Sequence, residues 1–150
     1  MPKFTYAKGR IIETLNFILE EIKEFEADYE DSTWEEYQND KKLQKLIDRT
    51  VENILTAFIE LCGTVITQEG IPAENYADAV KKCSKLLHFD KEEQDALSKL
   101  AIQRNRLARR YMDFRWQAIK TFIEQKKAVL KLLSKILKRE EKRSDPPFSD

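Results

Sequence analysis

Residues 104–111 read RNRLARRY, with four arginines in eight positions. Each guanidinium is a planar fork of five N–H donors, a shape that matches the oxygens of a phosphate. Residues 104–115 carry five arginines, Arg104, Arg106, Arg109, Arg110 and Arg115, against a single acid, Asp113. Such a run has two uses: a solvated charged face, or a grip on phosphate. The whole chain has no general field to help, because 27 basic and 27 acidic residues cancel to a formal net charge of 0. A nucleic-acid site in this protein must therefore be a local concentration of charge.

Arg104 interrupts an apolar stripe. At about 100° per residue, Leu97, Leu100, Arg104, Leu107, Ala108 and Tyr111 fall on one side of a helix. A desolvated charge without a partner is costly, so Arg104 requires one. Glu60, on the polar stripe of an earlier helix, is the expected partner, and a plain salt bridge between helices is the structural alternative to a phosphate role. Tyr111 has a similar alternative as a core aromatic at helical spacing.

Other chemistries find little support. The carboxylates are scattered along solvent faces, and Cys62, Cys83 and the lone histidine, His88, do not form a metal-ligand pattern. No glycine-rich phosphate loop occurs, so no metal and no cofactor is expected. The two cysteines are expected to be free thiols packed as small hydrophobes. The start, MPKFTYAKGR, lacks the apolar core of a signal peptide, and no unbroken apolar run of about 18 residues appears. The expectation is a cytoplasmic protein with no membrane span.

The elements that must position the arginines are helices. Of 150 residues, only 3 are glycine and 4 proline. Apolar residues at helical spacing predict a first helix over about Tyr6–Ala27 and a second over about Trp34–Gln68, bent near Asn39–Asp40. Ser32 or Thr33 can cap the second, with Glu35 and Glu36 placed for a capping box. Gly70 is the expected C-cap, with Pro72 just beyond. A shorter helix follows over about Asn75–Leu87, with His88-Phe89 as the turn. Asp90 with Glu93 predicts a capping box for a fourth helix, about Lys91–Met112, and a fifth runs from about Phe114 to Lys138. No strand pattern appears. The result is an all-α, up-and-down bundle of four to five helices in one domain, residues 1–138. The last stretch, 139–150, is charged and proline-broken, and is expected to be disordered.

With the elements in place, the motif resembles a known family. RNRLARRY looks like the signature of the HEPN-type minimal toxins, the HepT-like family: Arg-Asn, then His four positions after the Asn, and Tyr two further on. Arg104 and Asn105 match the first pair and Tyr111 the last. WEEYQNDKKLQ before a long helix and the connector GIPAENYADAV resemble the family too, and the resemblance covers roughly residues 8–137. It implies a HEPN-like bundle with metal-independent ribonuclease activity, tRNA being the target class. It also implies a homodimer whose motif helices face a shared cleft, and a minimal nucleotidyltransferase antitoxin as partner. In the implied site Arg104 binds the scissile phosphate, Asn105 holds the motif's geometry, and position 109 is the acid–base group. Tyr111 is the hydroxyl that the antitoxin modifies with AMP. Arg106, Arg110 and Arg115 are the expected RNA contacts.

One position departs from that pattern. Where the family has His, this chain has Arg109. A histidine with a free pKa of about 6.5 takes and returns protons near neutrality, and an arginine does not. The chain as written is expected to bind RNA phosphate better than it cuts RNA. Three origins are compatible with Arg109: a degenerate member, a deliberate inactivation, or an escape change in a host that an active toxin would kill. A non-catalytic bundle that docks a nucleotidyltransferase or a nucleotide is the alternative function, and a structural adaptor with solvated arginines is a third.

Overall fold

Asp40 cuts the second expected helix in two. The computed structural model describes residues 2–143, with side chains from residue 9 onward. Helix α1 is Pro2–Asp28 and α2 is Trp34–Asn39. Thr33 opens α2 with a reciprocal box, its hydroxyl accepting the Glu36 N–H while the Glu36 carboxylate accepts the Thr33 N–H. Asp40 is extended (φ −124°, ψ 100°), and its carboxylate accepts the Leu43 N–H at the start of α3, Lys41–Gln68. The expected bend is thus a full break. An Asp at that point satisfies orphan donors of a new helix, which favours a restart over a continuous ladder.

The remaining helices are α4 (Tyr76–Leu86), α5 (Lys91–Ser98), α6 (Leu100–Leu107) and α7 (Met112–Lys142). Asn75 caps α4, and the Asp90–Glu93 box opens α5 as its sequence suggests. The fourth expected helix, Lys91–Met112, is instead interrupted twice. Lys99 separates α5 from α6 while keeping near-helical dihedrals, and α6 ends at Leu107. Residues 108–111 form a turn. The fifth helix runs past Lys138 to Lys142, so the start of the expected tail is ordered. There Glu140 is buried, and Arg139 pairs with it and with Glu69 beyond the end of α3. The rest of that tail, 144–150, lies outside the described residues.

Helix α3 is the centre of the bundle and touches α1, α2, α4, α6 and α7. By length and composition it is long and apolar enough to cross a membrane, which a search for an unbroken apolar run does not reveal. Its stripe of Ile47, Val51, Ile54, Phe58 and Val65 is fully buried against the surrounding helices, and that packing accounts for its apolar character. The free thiols Cys62 and Cys83 are buried in the same core, and burial pushes the Cys62 thiol up. Among the described residues there is no strand, and the architecture is the expected all-α bundle.

Two helices end in the same way with different residues. After α3, the Gly70 N–H bonds to Thr67 O and the Ile71 N–H to Ile66 O, with Gly70 at φ 70°. After α4, the His88 N–H bonds to Lys85 O and the Phe89 N–H to Ser84 O, with His88 also at φ 70°. The first is the usual glycine solution. The second holds a side chain in the left-handed region, at about 1–3 kcal/mol. A glycine there would relieve that strain and lose about 0.5–1 kcal/mol to unfolded-state entropy. His88→Gly is therefore expected to raise stability by roughly 1 kcal/mol, read as a higher urea midpoint at unchanged m value.

Candidate functional site

The site is built where α6 stops. Arg104 lies in the last turn of α6 and is half-buried. Its Nε donates to Thr56 Oγ1 on α3 at 3.0 Å, and its guanidinium carbon is 5.9 Å from the ring centroid of Tyr76 at the start of α4. The expected pairing with Glu60 does not form. Glu60 is one turn further along α3 and stays exposed, where its carboxylate keeps its hydration. A neutral hydroxyl thus anchors one edge of the guanidinium, and the Nη edge has no hydrogen-bond partner among the described residues. Arg104 is neither sealed in the core nor loose in solvent.

The other motif residues do not share one helix face. Asn105, Arg109 and Arg110 are exposed. Arg106 Nη1 donates to Gln117 Oε1 at 3.0 Å, with its guanidinium over the Phe114 ring. Because α6 ends at Leu107, the turn carries Tyr111 off the stripe that continuous periodicity assigns to it. Tyr111 becomes the N-cap residue of α7, 59% exposed, its ring edge-on to Phe114 at 5.4 Å between centroids. It therefore lies on the Arg106 side of α6 and not beside Arg104, and it is not a core aromatic.

Arg115 has an inward task in place of the expected RNA contact. Its Nη1 donates to Arg109 O at 2.9 Å and to Arg110 O at 2.7 Å. Its Nη2 donates to Gln44 Oε1 at 3.0 Å, and its Nε lies 2.9 Å from Asp48 Oδ2. Tyr37, fully buried on α2, donates its hydroxyl to Asp48 Oδ1 at 2.6 Å, while Gln44 Nε2 donates to Tyr37 O at 2.9 Å. One side chain thus ties α2, α3 and α7 to the two carbonyls of the motif turn. Trp34 and Trp116 pack on Tyr37 and complete the enclosure. Burial pushes the Tyr37 hydroxyl up, and the Asp48 carboxylate beside it pushes further. Burial also raises Asp48, more than Tyr37 and Arg115 lower it.

Sequence patterns did not single out Thr56 and Tyr76 as neighbours of Arg104, or Tyr37, Gln44 and Asp48 as a network. The available signal is modest: Gln44 and Asp48 each follow a stripe residue of α3, Leu43 and Ile47, and so sit at the margin of the buried face. A different basic hollow, about 420 Å³ and lined by Lys135, Lys138, Lys142 and His88 among others, lies elsewhere, by the ends of α4 and α7. Cations there complement helix C-termini, and Lys135 donates to Leu87 O. Among the described residues no group of three or more His, Cys, Asp or Glu could hold a metal ion.

The fold and site together define a small all-α bundle with a half-anchored arginine, an exposed asparagine and a clamped basic turn at the end of α6. Comparison with known families makes this specific: a profile described as ribonuclease HepT-like matches residues 18–137, and the chain belongs to that family. No curated protein and no solved structure matches it.

Removing the Arg115 guanidinium strands Asp48 and frees the turn. Arg115→Ala is expected to destabilise the protein by about 2–4 kcal/mol in chemical denaturation. The network also sets an alkaline limit. Below about pH 10 Tyr37 is neutral in both folded and unfolded chains. Above it the unfolded chain ionises Tyr37 first, so stability falls by up to about 1.4 kcal/mol per pH unit through this group. Tyr37→Phe is expected to show a shallower decline between pH 10 and 11, and an identical slope in the two proteins would contradict the assignment.

Proposed function

We propose that this chain is the toxin subunit of a toxin–antitoxin pair, an RNA-directed protein of the ribonuclease family whose acid–base position holds Arg109. The observation that carries the reading is the state of Arg104, gripped at Nε by Thr56 with its Nη edge open, while Asn105 beside it in the chain and Arg109 on the following turn are exposed. A guanidinium fixed on one side and open on the other suits the scissile phosphate, where it balances charge that develops as the ester breaks. In this reading the exposed Asn105 amide offers hydrogen bonds to the same part of the RNA and holds the motif's geometry. Arg106 and Arg110 add cationic surface for the RNA backbone. Position 109 needs a group that exchanges protons, and arginine there leaves binding with little cleavage. The chemistry is metal-independent and tRNA is the target class.

The partner in this reading is a minimal nucleotidyltransferase antitoxin that transfers AMP to Tyr111, and the working form is a cytoplasmic homodimer with the motif turns at a shared cleft. The exposure of Tyr111 supports enzymatic access to its hydroxyl. Adenylate on that hydroxyl adds bulk and negative charge beside Phe114 and Arg106, which would repel RNA. Arg109 favours a second reading, a non-catalytic HEPN-like module that docks the nucleotidyltransferase or a nucleotide.

Restoring histidine separates the two. Arg109→His is expected to gain RNA cleavage by about 10²–10⁴-fold and to arrest growth on expression, both abolished by adding Arg104→Ala. A histidine variant that neither cuts RNA nor arrests growth establishes the binding module. Incubation with the cognate nucleotidyltransferase and ATP is expected to add one adenylate mass to the parent and none to Tyr111→Phe; an equal gain in both would place the modification elsewhere.

A further inference from the structure

Four of the eight large hydrophobic side chains exposed among the described residues lie on α6 or on the elements that flank it, and they include the most exposed. Tyr76 is 61% exposed, Ile102 52%, Tyr111 59% and Phe114 40%. Tyr76 opens α4 and Phe114 lies in the first turn of α7, so neither ring belongs to α6; each is brought to it by packing. Two of these rings carry a guanidinium. The Arg104 carbon is 5.9 Å from the Tyr76 centroid and the Arg106 carbon 6.0 Å from the Phe114 centroid. At about 100° per residue, Arg104 and Arg106 project roughly 200° apart, so the two pairs stand on opposite flanks of α6 with exposed Asn105 between them.

Cation–π contact alone does not explain the arrangement, because exposed pairs contribute only about 0.5–1 kcal/mol and leave both residues substantially exposed. What the pattern matches is a polymer that alternates anion with flat apolar surface. An unpaired nucleic-acid strand has that alternation: phosphates for the guanidinium forks, and bases with free faces for the rings. A duplex offers the phosphates and hides the base faces in its own stack. We propose that Tyr76 and Phe114 are nucleobase-stacking subsites and that the ligand of this face is an unpaired RNA strand draped over the exposed side of α6. Its phosphates meet Arg104 and Arg106, and one base lies on each ring. The proposal rests on the RNA-directed reading above and specifies which form of RNA is taken. The competing occupant of the same face is a second copy of this chain.

The test is binding of the full chain to a fluorescent unpaired oligoribonucleotide, and to the same strand annealed to its complement, across a salt series. Oligomeric state is followed by sedimentation for every variant. Base–ring stacking is worth about 1–3 kcal/mol, so Tyr76→Ala and Phe114→Ala are each expected to weaken binding of the unpaired strand by about 5- to 150-fold. Rings release no counterions, so the salt slope stays unchanged, and Tyr76→Trp and Phe114→Trp retain parental affinity. Arg104→Ala, by contrast, is expected to flatten the slope by about 0.7. The parent is expected to bind the duplex more weakly than the strand, with the alanine variants matching it there. The proposal is overturned if the alanine variants bind the unpaired strand like the parent, if duplex and strand bind equally, or if lost affinity tracks lost self-association, which assigns the face to a second copy. Binding that depends on Arg104 but ignores both rings sinks the stacking subsites and leaves the RNA reading standing; a parent that binds no RNA sinks both.

Discussion

The Arg115 guanidinium holds together everything that matters at the motif. It crosses from α7 to Asp48 and Gln44 on α3, lies against the Tyr37 hydroxyl of α2, and donates to the carbonyls of Arg109 and Arg110. Side-chain exposure of 14% for Arg115 and 19% for Asp48 places the pair where water screens it poorly, so its geometry is tightly constrained. Nε, both Nη1 hydrogens and one Nη2 hydrogen are in use, so four of its five N–H groups are committed to the protein itself. At this turn α7 begins without a side-chain cap, and this fork supplies the restraint that a cap would otherwise give.

The same constraint divides the arginines into kinds. Arg115 is structural, Arg104 is half-anchored, Arg106 leans on Gln117, and Arg109 and Arg110 project into solvent from a fixed backbone. A basic cluster that looks uniform in composition is therefore graded from interior to surface. The gradation lets a chain of zero formal net charge present positive potential at one rim. It also sets Arg104, held by Thr56, apart from Tyr111, which packs on Phe114 with Arg106.

Helical periodicity carried most of the fold. Five expected helices appear as α1, α2 with α3, α4, α5 with α6, and α7, and both capping boxes form where Thr33–Glu36 and Asp90–Glu93 predict them. What periodicity could not show was where a helix stops without a Gly or Pro. Leu107 to Tyr111 continues the apolar rhythm of α6, yet the chain turns there because Arg115 captures the carbonyls of residues 109 and 110, a contact made from the far side of the turn. The family was legible through the motif and its surroundings, whereas Thr56, Tyr76 and the Tyr37–Asp48 pair were not, since each owes its place to packing between helices distant in sequence. Glu60 shows the converse: charge complementarity suggested it, and a hydroxyl one turn away took the contact.

The clamp on the motif turn has a consequence for position 109 itself. Arg115 holds that residue by its carbonyl oxygen, a group every amino acid possesses, and leaves the side chain in solvent. The scaffold is therefore blind to which side chain stands there. A substitution at position 109 can therefore change the chemistry of the rim while the bundle that carries it stays the same.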